Sequence, residues 1–462
     1  MKIKNLIFWS FAVICLSSCK GLYGTYKRPD IKTSNIIRNT NISLKDSAII
    51  DSTMFGYLPW RKVFTDPLLQ HLIETGLNNN PDLLNAALNV KMAESQLQAA
   101  KLAFVPSFTF SPSGTISSWD GGKATKTYSL PISANWSIDL FGNLLSQKRS
   151  SQMALLATKD YQLVVKTKLI SNISNMYYTL LMLDEELKVI TDMEILTHET
   201  WDLMKVMKDK NGYRSASVQS AEANYLSVLA QKEDIKRQIN ETENSLSLIL
   251  GEPAGSITRG LLKDQSLPSD FASGINIQML NNRPDVHYAE MSLAQCFYNV
   301  ETARSKFYPS ITISPSGAFT NSGTLGIVNP GKWLLSAVGS LTQPIFQHGQ
   351  LIAGLKVAKA QYEQAVNTWK NALLSAGSEV SNALVLYNSS NEKAQIEEKQ
   401  INVLKQNVED TKTLMKLSGS TYLEVITAQQ NLLNAQLSLI QDEFYKMQAV
   451  VNLYYALGGG VN

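Results

Sequence analysis

Cysteine and charged residues are scarce in this sequence, and long apolar runs are missing. Only three cysteines occur in 462 residues, and beyond the N-terminal leader Cys296 stands alone, so no disulfide can form within the mature chain. Charged residues make up 18% of the chain and the net charge is +3, which excludes a strongly basic nucleic-acid-binding protein. No stretch after residue 19 reaches 18 consecutive apolar residues, so any membrane insertion must use strands rather than helices.

The first residues have the pattern of a targeting segment. Lys2 and Lys4 precede an apolar stretch at 6–16, which is too short for a membrane span of about 20 residues and fits a secretory signal. The following Leu-Ser-Ser-Cys, ending at Cys19, resembles the lipobox of bacterial lipoproteins, in which the cysteine becomes the acylated N-terminus. We predict a lipoprotein signal peptide over residues 1–18 and lipidation of Cys19. An ordinary signal peptide with an incidental cysteine is the alternative.

The chain contains an internal duplication. Three motifs recur at a spacing of 203 residues: Pro-Asp at 81 and 284, Pro-Ser at 106 and 309, and Ser-Pro-Ser-Gly at 111 and 314. Further on the spacing becomes 207, as between Gly212 and Gly419 or Ala221 and Ala428. Residues 70–250 therefore match 275–457, and the repeated unit has the size of a domain because solenoid repeats span only about 20–50 residues.

Each repeat begins with a helix and continues into strands. In the first repeat, Asn80 can cap a helix that starts at Pro81 and ends before Pro106. Residues 127–140 then alternate between apolar and polar side chains, which predicts an amphipathic strand. We predict β-hairpins over about 107–140 and 310–346. A half-buried soluble sheet gives the same alternation, whereas a transmembrane barrel adds aromatic residues near the strand ends. Such residues are Trp119, Tyr128, Phe319 and Trp333.

Prolines interrupt the predicted strands. Pro112 and Pro315 recur at equivalent places in the two repeats and remove ladder hydrogen bonds, so we interpret them as bends or bulges. The sequence pattern does not explain Pro131.

Two very long helices follow the hairpins. Proline is absent from residues 143–210 and 350–416, and a helix of this length spans about 100 Å. We predict that each packs as a coiled coil with a return helix, at 215–250 and 421–457. The apolar seam of the second return helix passes through Ile426, Gln430 and Leu433, with Gln430 as a polar residue that fixes the register.

These features predict a mainly α fold with a β-barrel portion, built from a duplicated helix–β-hairpin–long helix–helix unit. The predicted segments are the signal at 1–18, a lipid-anchored segment and linker at 19–69, the first repeat at 70–255, an inter-repeat linker at 256–274 and the second repeat at 275–462. Four amphipathic strands cannot close a barrel, because small transmembrane barrels need at least eight. Two or more chains must therefore share one barrel, and three would give twelve strands. Both two chains and three chains would supply at least eight strands.

The order of motifs along the chain resembles that of the TolC-type outer-membrane factors, specifically the lipoprotein (OprM- and NodT-like) branch that works with resistance-nodulation-division efflux pumps. The resemblance covers essentially the whole mature chain. It rests on the lipobox, Tyr-Lys-Arg-Pro at 26–29, Leu-Gly-Glu-Pro at 250–253, Arg-Pro-Asp-Val at 283–286, Phe-Tyr-Pro-Ser at 307–310, Gly-Ser-Thr-Tyr-Leu-Glu-Val-Ile-Thr-Ala at 419–428 and the glycine triplet at 458–460.

The resemblance implies a homotrimer with a 12-stranded barrel in the outer membrane, a long α-helical coiled-coil barrel in the periplasm and a lipid anchor at Cys19. It implies a passive exit duct for drugs or other small molecules, joined by a periplasmic adaptor to an inner-membrane resistance-nodulation-division transporter. No cofactor, metal or nucleic acid is implied. The helix tips that would contact the adaptor contain Gly212, Tyr213, Gly419 and Ser420.

The resemblance also points to a gate. Glu424 matches a position where acidic residues of the family line the closed periplasmic entrance, whereas Thr427, Ser217 and Ser220 occupy related positions without a charge. One acidic ring would attract cations less strongly than two. A solvated helix charge is the alternative interpretation of Glu424.

Other functions have less support in the sequence. The four histidines have no metal-ligand spacing, and no nucleophile elbow or nucleotide loop is present, so we do not expect an enzyme. A periplasmic structural coiled-coil lipoprotein would explain the helices but not the amphipathic hairpins. A duct for type I secretion or metal-ion efflux stays open, since the cargo cannot be deduced from the sequence of a duct.

Overall fold

The computed structural model describes residues 24–30, 55–118, 120–211, 215–268, 280, 283–322, 328–417 and 421–461. The chain forms two compact units. The first comprises Met1–Ile31, Leu88–Asp160 and His287–Asn371, and the second comprises Lys32–Ala87, Tyr161–Val286 and Ala372–Asn462. Both units draw on both repeats, and the domain boundaries given above stay predictions. Within the described ranges, no helix combines the length and the apolar character that crossing a membrane requires.

Three helices of the first repeat have counterparts in the second repeat. The short helix α1 (Trp60–Val63) and the helix α2 (Pro67–Asn79) come first. Helices α3 (Pro81–Leu102), α4 (Asn143–Asn211) and α5 (Ser215–Leu250) follow, and they correspond to α6 (Pro284–Ser305), α7 (Gln350–Lys416) and α8 (Tyr422–Ala456) of the second repeat. Single 3₁₀ turns lie at Phe55–Tyr57 and Leu262–Asp264. Asn80 caps α3 as its sequence context predicts, because its Oδ1 accepts a hydrogen bond from the backbone N–H of Leu83 at 3.0 Å. With 69 residues, α4 is about 100 Å long.

The strands of both repeats form one antiparallel sheet. They are β1 (Ser107–Phe110), β2 (Ser113–Ser117), β3 (Thr125–Ile138), β4 (Ser310–Ser322) and β5 (Val328–Thr342). The order is β1-β3-β4-β5, and β2 also pairs with β3. Among the described strands, β5 on one side and β1 with β2 on the other side have a single neighbour each. The sheet therefore has two open edges.

The prolines account for irregularities of this sheet. The first strand of the hairpin predicted at about 107–140 is divided into β1 and β2. These two strands keep one register on β3 and are separated by Ser111 and Pro112. By that register the gap lies opposite Pro131, which has no N–H to donate, so Pro112 and Pro131 share one opening in the ladder. In the second repeat, the pairing of β4 with β3 is interrupted at Pro315, although Pro315 still pairs with Ala337 of β5.

The two faces of the sheet differ in chemistry. Neighbouring pairs on one face are apolar: Leu130 with Phe319, Trp136 with Ile313, Ile138 with Ile311, Ile311 with Leu341 and Phe319 with Trp333. Pairs on the other face carry hydroxyl groups: Ser129 with Thr320, Ser133 with Ser316, Ser137 with Thr312 and Ser316 with Ser336. Three of the predicted aromatic residues form a chain of ring contacts, since Phe319 lies 6.2 Å from Tyr128 and 5.8 Å from Trp333 between ring centroids. Trp119 lies outside the described residues.

In the second unit, the segment after α5 is fixed to the long helix. Arg259 donates to both carboxylate oxygens of Asp184 on α4, at 2.5 and 2.9 Å, and to Glu243 on α5 at 2.5 Å. The pKa of Arg259 is raised, chiefly by its hydrogen bond to Asp184. Nearby, the Tyr177 hydroxyl donates to Asp66 at 2.5 Å and accepts from the backbone N–H of Gly260 at 3.0 Å. These contacts tie residues 256–268 to the helical core.

Candidate gate at the helix ends

Four helix ends meet in one apolar cluster of the second unit. Its buried members are Met204, Met207, Ala221, Met415, Val425 and Ile426, which come from α4, α5, α7 and α8. Trp201, Leu203, Val218 and Tyr422 pack against them. Three of the six buried members are methionines, whose unbranched, polarizable side chains fill irregular gaps and tolerate repacking. The helix ends are therefore held together by a core that can adjust its packing.

Glu424 lies in the first turn of α8, next to this cluster. Its side chain is exposed, whereas the following residues Val425 and Ile426 are buried in the cluster. A carboxylate in the first turn of a helix interacts favourably with the helix dipole. Leu417 and Leu423, whose apolar side chains are exposed, lie at the two sides of the connection between α7 and α8 in the sequence. The helix end thus presents one carboxylate beside apolar surface.

Polar contacts link neighbouring helices beyond the cluster. Lys412 of α7 donates to Glu199 of α4 at 2.9 Å, and Lys232 of α5 donates to Glu194 of α4 at 2.5 Å. The sequence alone does not predict these pairs, because residues of opposite charge on different helices have no characteristic spacing along the chain. They join α4 to both α7 and α5 near the candidate gate.

A buried amide lies on α8, one residue away from the predicted position. Gln429 is 1% exposed and donates to the Thr200 hydroxyl at 2.8 Å, while its Oε1 atom is buried without a hydrogen-bond partner. Gln430 is exposed and donates to Asn224 of α5 at 3.1 Å. The prediction that Gln430 lies on the buried seam is therefore wrong. The apolar stripe of α8 is wider than one seam, since Val425, Ala428 and Leu432 are buried as well, and this widening moves the polar interruption to Gln429.

The two glutamines border a polar cavity of about 160 Å³ between α4, α5 and α8. The amide side chains on its wall are Asn224, Gln231, Gln429, Gln430 and Asn434. A polar cavity of this size can hold water molecules, which would satisfy the Gln429 oxygen. The apolar cluster at the helix ends is thus followed by a polar layer.

An aromatic cluster borders the same helix ends on α4 and α5. The Trp201 and Tyr225 rings are stacked with centroids 5.6 Å apart, and the Lys205 ammonium lies 3.8 Å from the centre of the Trp201 ring. Lys205 also contacts Asp202 at 2.5 Å, and this hydrogen bond lowers the pKa of the Asp202 carboxyl. His198 packs against both rings edge-on. The cluster joins α4 to α5 through stacking and cation–π contacts.

Several predicted site residues lie outside the described part of the chain. They are Cys19 and the tip residues Gly212, Tyr213, Gly419 and Ser420. Within the described ranges, no group of three or more histidine, cysteine, aspartate or glutamate side chains could hold a metal ion. Of the predicted site residues, the structure thus describes Glu424, which lies beside the four helix ends.

Comparison with known proteins assigns the chain to a family. The sequence profile of the outer membrane efflux proteins matches residues 72–252 and 277–459, one match for each repeat. The chain belongs to the outer membrane efflux protein family. This result confirms the resemblance derived from the motifs and the predicted function as an outer-membrane efflux channel. The family description is that of an efflux protein and not of an enzyme.

Relatives of this efflux protein match over most of its length. It is 24% identical to the probable outer membrane lipoprotein SilC of Salmonella typhimurium, with 97% of both chains covered. It is 27% identical to the toluene efflux pump outer membrane protein TtgC of Pseudomonas putida, with 87% of this chain and 85% of that protein covered. The crystal structure of the open state of the Neisseria gonorrhoeae MtrE outer membrane channel superposes with a TM-score of 0.82 at 23% identity, covering 96% of this chain and 99% of that chain. The likeness confirms the predicted fold class.

Proposed function

We propose that three copies of this chain form an outer-membrane exit duct for small molecules. The single observation that carries this proposal is the open-edged sheet, which has an apolar face, a hydroxyl-rich face and one neighbour at each edge strand. Strand edges exposed to lipid are unstable, because their backbone groups have no partner there. Pairing β5 of one copy with β1 and β2 of the next copy removes every edge. Because β1 and β2 are two parts of one divided strand, each copy contributes four strands, and three copies close a 12-stranded barrel with the apolar face towards lipid.

The helical part forms the periplasmic section of the duct in this proposal. Helices α4 and α7 are each about 100 Å long, and the candidate gate lies at the C-terminal ends of these two helices. The tip residues 212–214 and 418–420, flanked by exposed Leu417 and Leu423, contact a periplasmic adaptor. The adaptor joins the duct to an inner-membrane resistance-nodulation-division transporter, which supplies the energy. The duct itself is passive and catalyses no reaction.

Glu424 supplies one acidic ring at the periplasmic entrance of the trimer. Three copies of an exposed carboxylate at the same helix turn attract cations and repel anions when the entrance is narrow. The equivalent first-repeat residue, Ser217, is buried and uncharged, so one ring of three carboxylates results.

The lipid anchor at Cys19 completes the proposal and places the protein in the outer membrane. The lipobox in the sequence supports it, as does the description of SilC as a probable outer membrane lipoprotein. The cargo is a small molecule, and the name of TtgC, a toluene efflux pump component, supports an organic compound. Metal ions are the alternative cargo, because a relative in Escherichia coli is named as the cation efflux system protein CusC.

The experiment that tests the duct combines mass and conductance. The full-length protein is extracted from membranes in detergent, its oligomeric mass is measured by native mass spectrometry, and its conductance is recorded in planar bilayers. We expect trimers and discrete ion-conducting events. A monomer without conductance would favour the structural coiled-coil lipoprotein instead. A conducting dimer would refute the 12-stranded barrel but would leave the exit duct supported.

A further inference from the structure

The apolar face of the sheet contains a groove with a volume of about 530 Å³. Its wall is formed by Phe108, Ile132 and Leu335, and its floor by the small residues Ala134, Gly317 and Ala337. The cross-strand register explains this shape, because Phe108 pairs with Ala134 and Pro315 pairs with Ala337 in one row, and Ile132, Gly317 and Leu335 form the next. Large side chains thus surround a depression that is one or two residues wide.

The groove lies at a defined depth in the proposed barrel. The row of Ile138, Ile311 and Leu341 is the last on this face before the strands join the helices. The two rows of the groove, which contain Ala134 and Ile132, lie four and six residues from Ile138 along β3. This separation corresponds to about 14–20 Å in an extended strand. With a strand tilt of about 45°, this corresponds to about 10–15 Å above the periplasmic membrane surface, within the inner half of a hydrocarbon core about 30 Å thick.

The described N-terminal segment runs towards the sheet. Arg28 donates to Glu290 at 2.7 Å, and its guanidinium lies 5.8 Å from the centre of the Trp369 ring. Tyr26 contacts the Phe297 ring edge-on, and its backbone N–H donates to the Tyr298 hydroxyl. Lower residue numbers in the segment therefore lie further along α6, in the direction of Ser305 and the start of β4.

The chain length between this segment and the lipid anchor limits where the lipid can enter. Phe297, which lies beside Gly24, is about 12 Å from the C-terminal end of α6 at 1.5 Å per residue. Gly24 lies five positions after Cys19 in the sequence, and an extended chain spans at most about 17 Å over five residue steps. Cys19 can therefore reach the border between α6 and the sheet, at the membrane surface below the groove.

We propose that the groove binds a fatty acyl chain carried by Cys19 of the same protomer. This inference rests on the proposed function, since it requires the lipid anchor and an apolar sheet face directed to lipid. The ligand is an acyl chain, because the lining residues other than Ser316 and Ser336 are apolar and because the groove lies at the depth that such a chain passes as it enters from the periplasmic side. Seating the lipid against the sheet fixes the N-terminal segment and the barrel to each other as one membrane-bound element.

Photo-cross-linking tests this assignment in the intact protein. Cells that express the full-length chain are fed a palmitate analogue with a diazirine in the middle of its chain, and isolated outer membranes are irradiated. Mass spectrometry of the digested protein then identifies peptides joined to the Cys19 peptide. We expect most of the intramolecular cross-links to reach peptides that contain Phe108, Ile132 or Leu335. Labelled Cys19 that cross-links only to phospholipid, or evenly along the apolar face, would overturn the proposal.

Two matched variants sharpen the result. Ala337→Phe fills the floor of the groove and should reduce these cross-links at least fivefold, whereas Val338→Phe places the same ring on the opposite face and should leave them unchanged. Equal yields from both variants would contradict the assignment, and the wild-type map decides it alone if Ala337→Phe does not assemble. The Cys19→Ser variant gives the unlabelled baseline. If the wild-type protein incorporates no more of the palmitate analogue than Cys19→Ser does, the lipid anchor is rejected, and the groove proposal with it. That result would leave the trimeric duct unaffected.

Discussion

Arg283 donates a hydrogen bond to the backbone carbonyl oxygen of Ala456 at 2.8 Å, and this contact joins the start of α6 to the end of α8. The first repeat contains the same contact at the equivalent positions, where Asn80 donates to the carbonyl of Ile249, also at 2.8 Å. In both repeats, a side chain that precedes the first helix therefore satisfies one of the last carbonyl groups of the return helix.

The second repeat adds charge to this contact. Arg283 is 1% exposed, donates to Asp285 and Glu379 at 2.7 Å, and lies 5.5 Å from the centre of the Tyr455 ring. Burial alone would lower the pKa of Arg283, but the hydrogen bonds and charges of Asp285 and Glu379 outweigh burial and raise it. The guanidinium is thus a charged link between three elements, whereas Asn80 is an uncharged one.

Replacing Arg283 should therefore cost more stability than replacing Asn80. Arg283→Met leaves two carboxylates without their partner, and we expect a loss of about 3 kcal/mol, at the lower end for broken buried pairs because Glu379 is half exposed. Asn80→Ala removes a helix cap and should cost about 1 kcal/mol. Denaturant unfolding followed by tryptophan fluorescence measures both. Arg283→Lys keeps the charge and should fall between them; equal losses for Arg283→Met and Asn80→Ala would contradict the charged-link interpretation.

Removing the charge of Glu424 should change ion selectivity without changing assembly. Glu424→Gln deletes three carboxylates from the trimer, so we expect the cation-to-anion permeability ratio to fall at least twofold, as measured from the reversal potential in a salt gradient. Glu233→Gln is the matched control, because Glu233 is an exposed carboxylate of α5 away from the helix ends. If both variants keep the wild-type reversal potential, Glu424 is a solvated helix charge.

Residues 256–268 should become sensitive to proteolysis when Arg259 is replaced. Arg259→Met leaves Glu243, whose side chain is 13% exposed, without its cation. Breaking such a pair costs about 3 kcal/mol, which corresponds to roughly a hundredfold increase in local opening. Thermolysin cleavage within this segment should accelerate accordingly, since cleavage tracks the population of the open form. Lys263→Met changes an exposed residue in the same segment and should cleave at the wild-type rate.

The sequence predicted the fold class because each element has a strong local signal. Proline-free stretches of about 70 residues, the Asn80 cap and the alternation of residues 127–140 each indicate one structure, and the duplication repeats the signal. The division of the first strand into β1 and β2 was not predicted. It depends on Pro112 and Pro131 lying at the same point of the ladder, where Ser111 is opposite Pro131 and Pro112 is opposite Leu130. This relation is visible only when the register of the two strands is known.

The candidate site was less predictable than the fold. A single sequence cannot show that Lys412 meets Glu199, because their distance along the chain is 213 residues and neither belongs to a motif. The position of Gln430 was wrong by one residue, since a seam drawn in steps of three and four does not anticipate a stripe two residues wide. Glu424 came from the family resemblance rather than from spacing, and its role in the gate stays a prediction.

A histidine–carboxylate pair in the first unit should make stability depend on pH. His287 contacts Asp160 at 2.6 Å, and Glu290 and Arg28 are the other charged groups near it. The hydrogen bond to Asp160 raises the pKa of His287 above its usual value, in spite of partial burial. Because the pKa is higher in the folded state than in the unfolded state, the pair stabilises the fold fully below the unfolded-state value of about 6.5. This contribution is lost as the pH rises through the folded-state value.

Asp160→Asn should therefore destabilise the protein in weak acid and have little effect in weak base. The measurement compares denaturation midpoints of the wild type and the variant at about pH 5.5 and about pH 9, conditions that lie on either side of the titration of His287. The double variant His287→Gln, Asp160→Asn controls for changes in packing. It should unfold at the same midpoint as Asp160→Asn in weak base, where the histidine is neutral, and should lose the pH dependence that the pair causes. A difference between wild type and Asp160→Asn that is the same at both pH values would show that Asp160 acts through packing or through other charges instead.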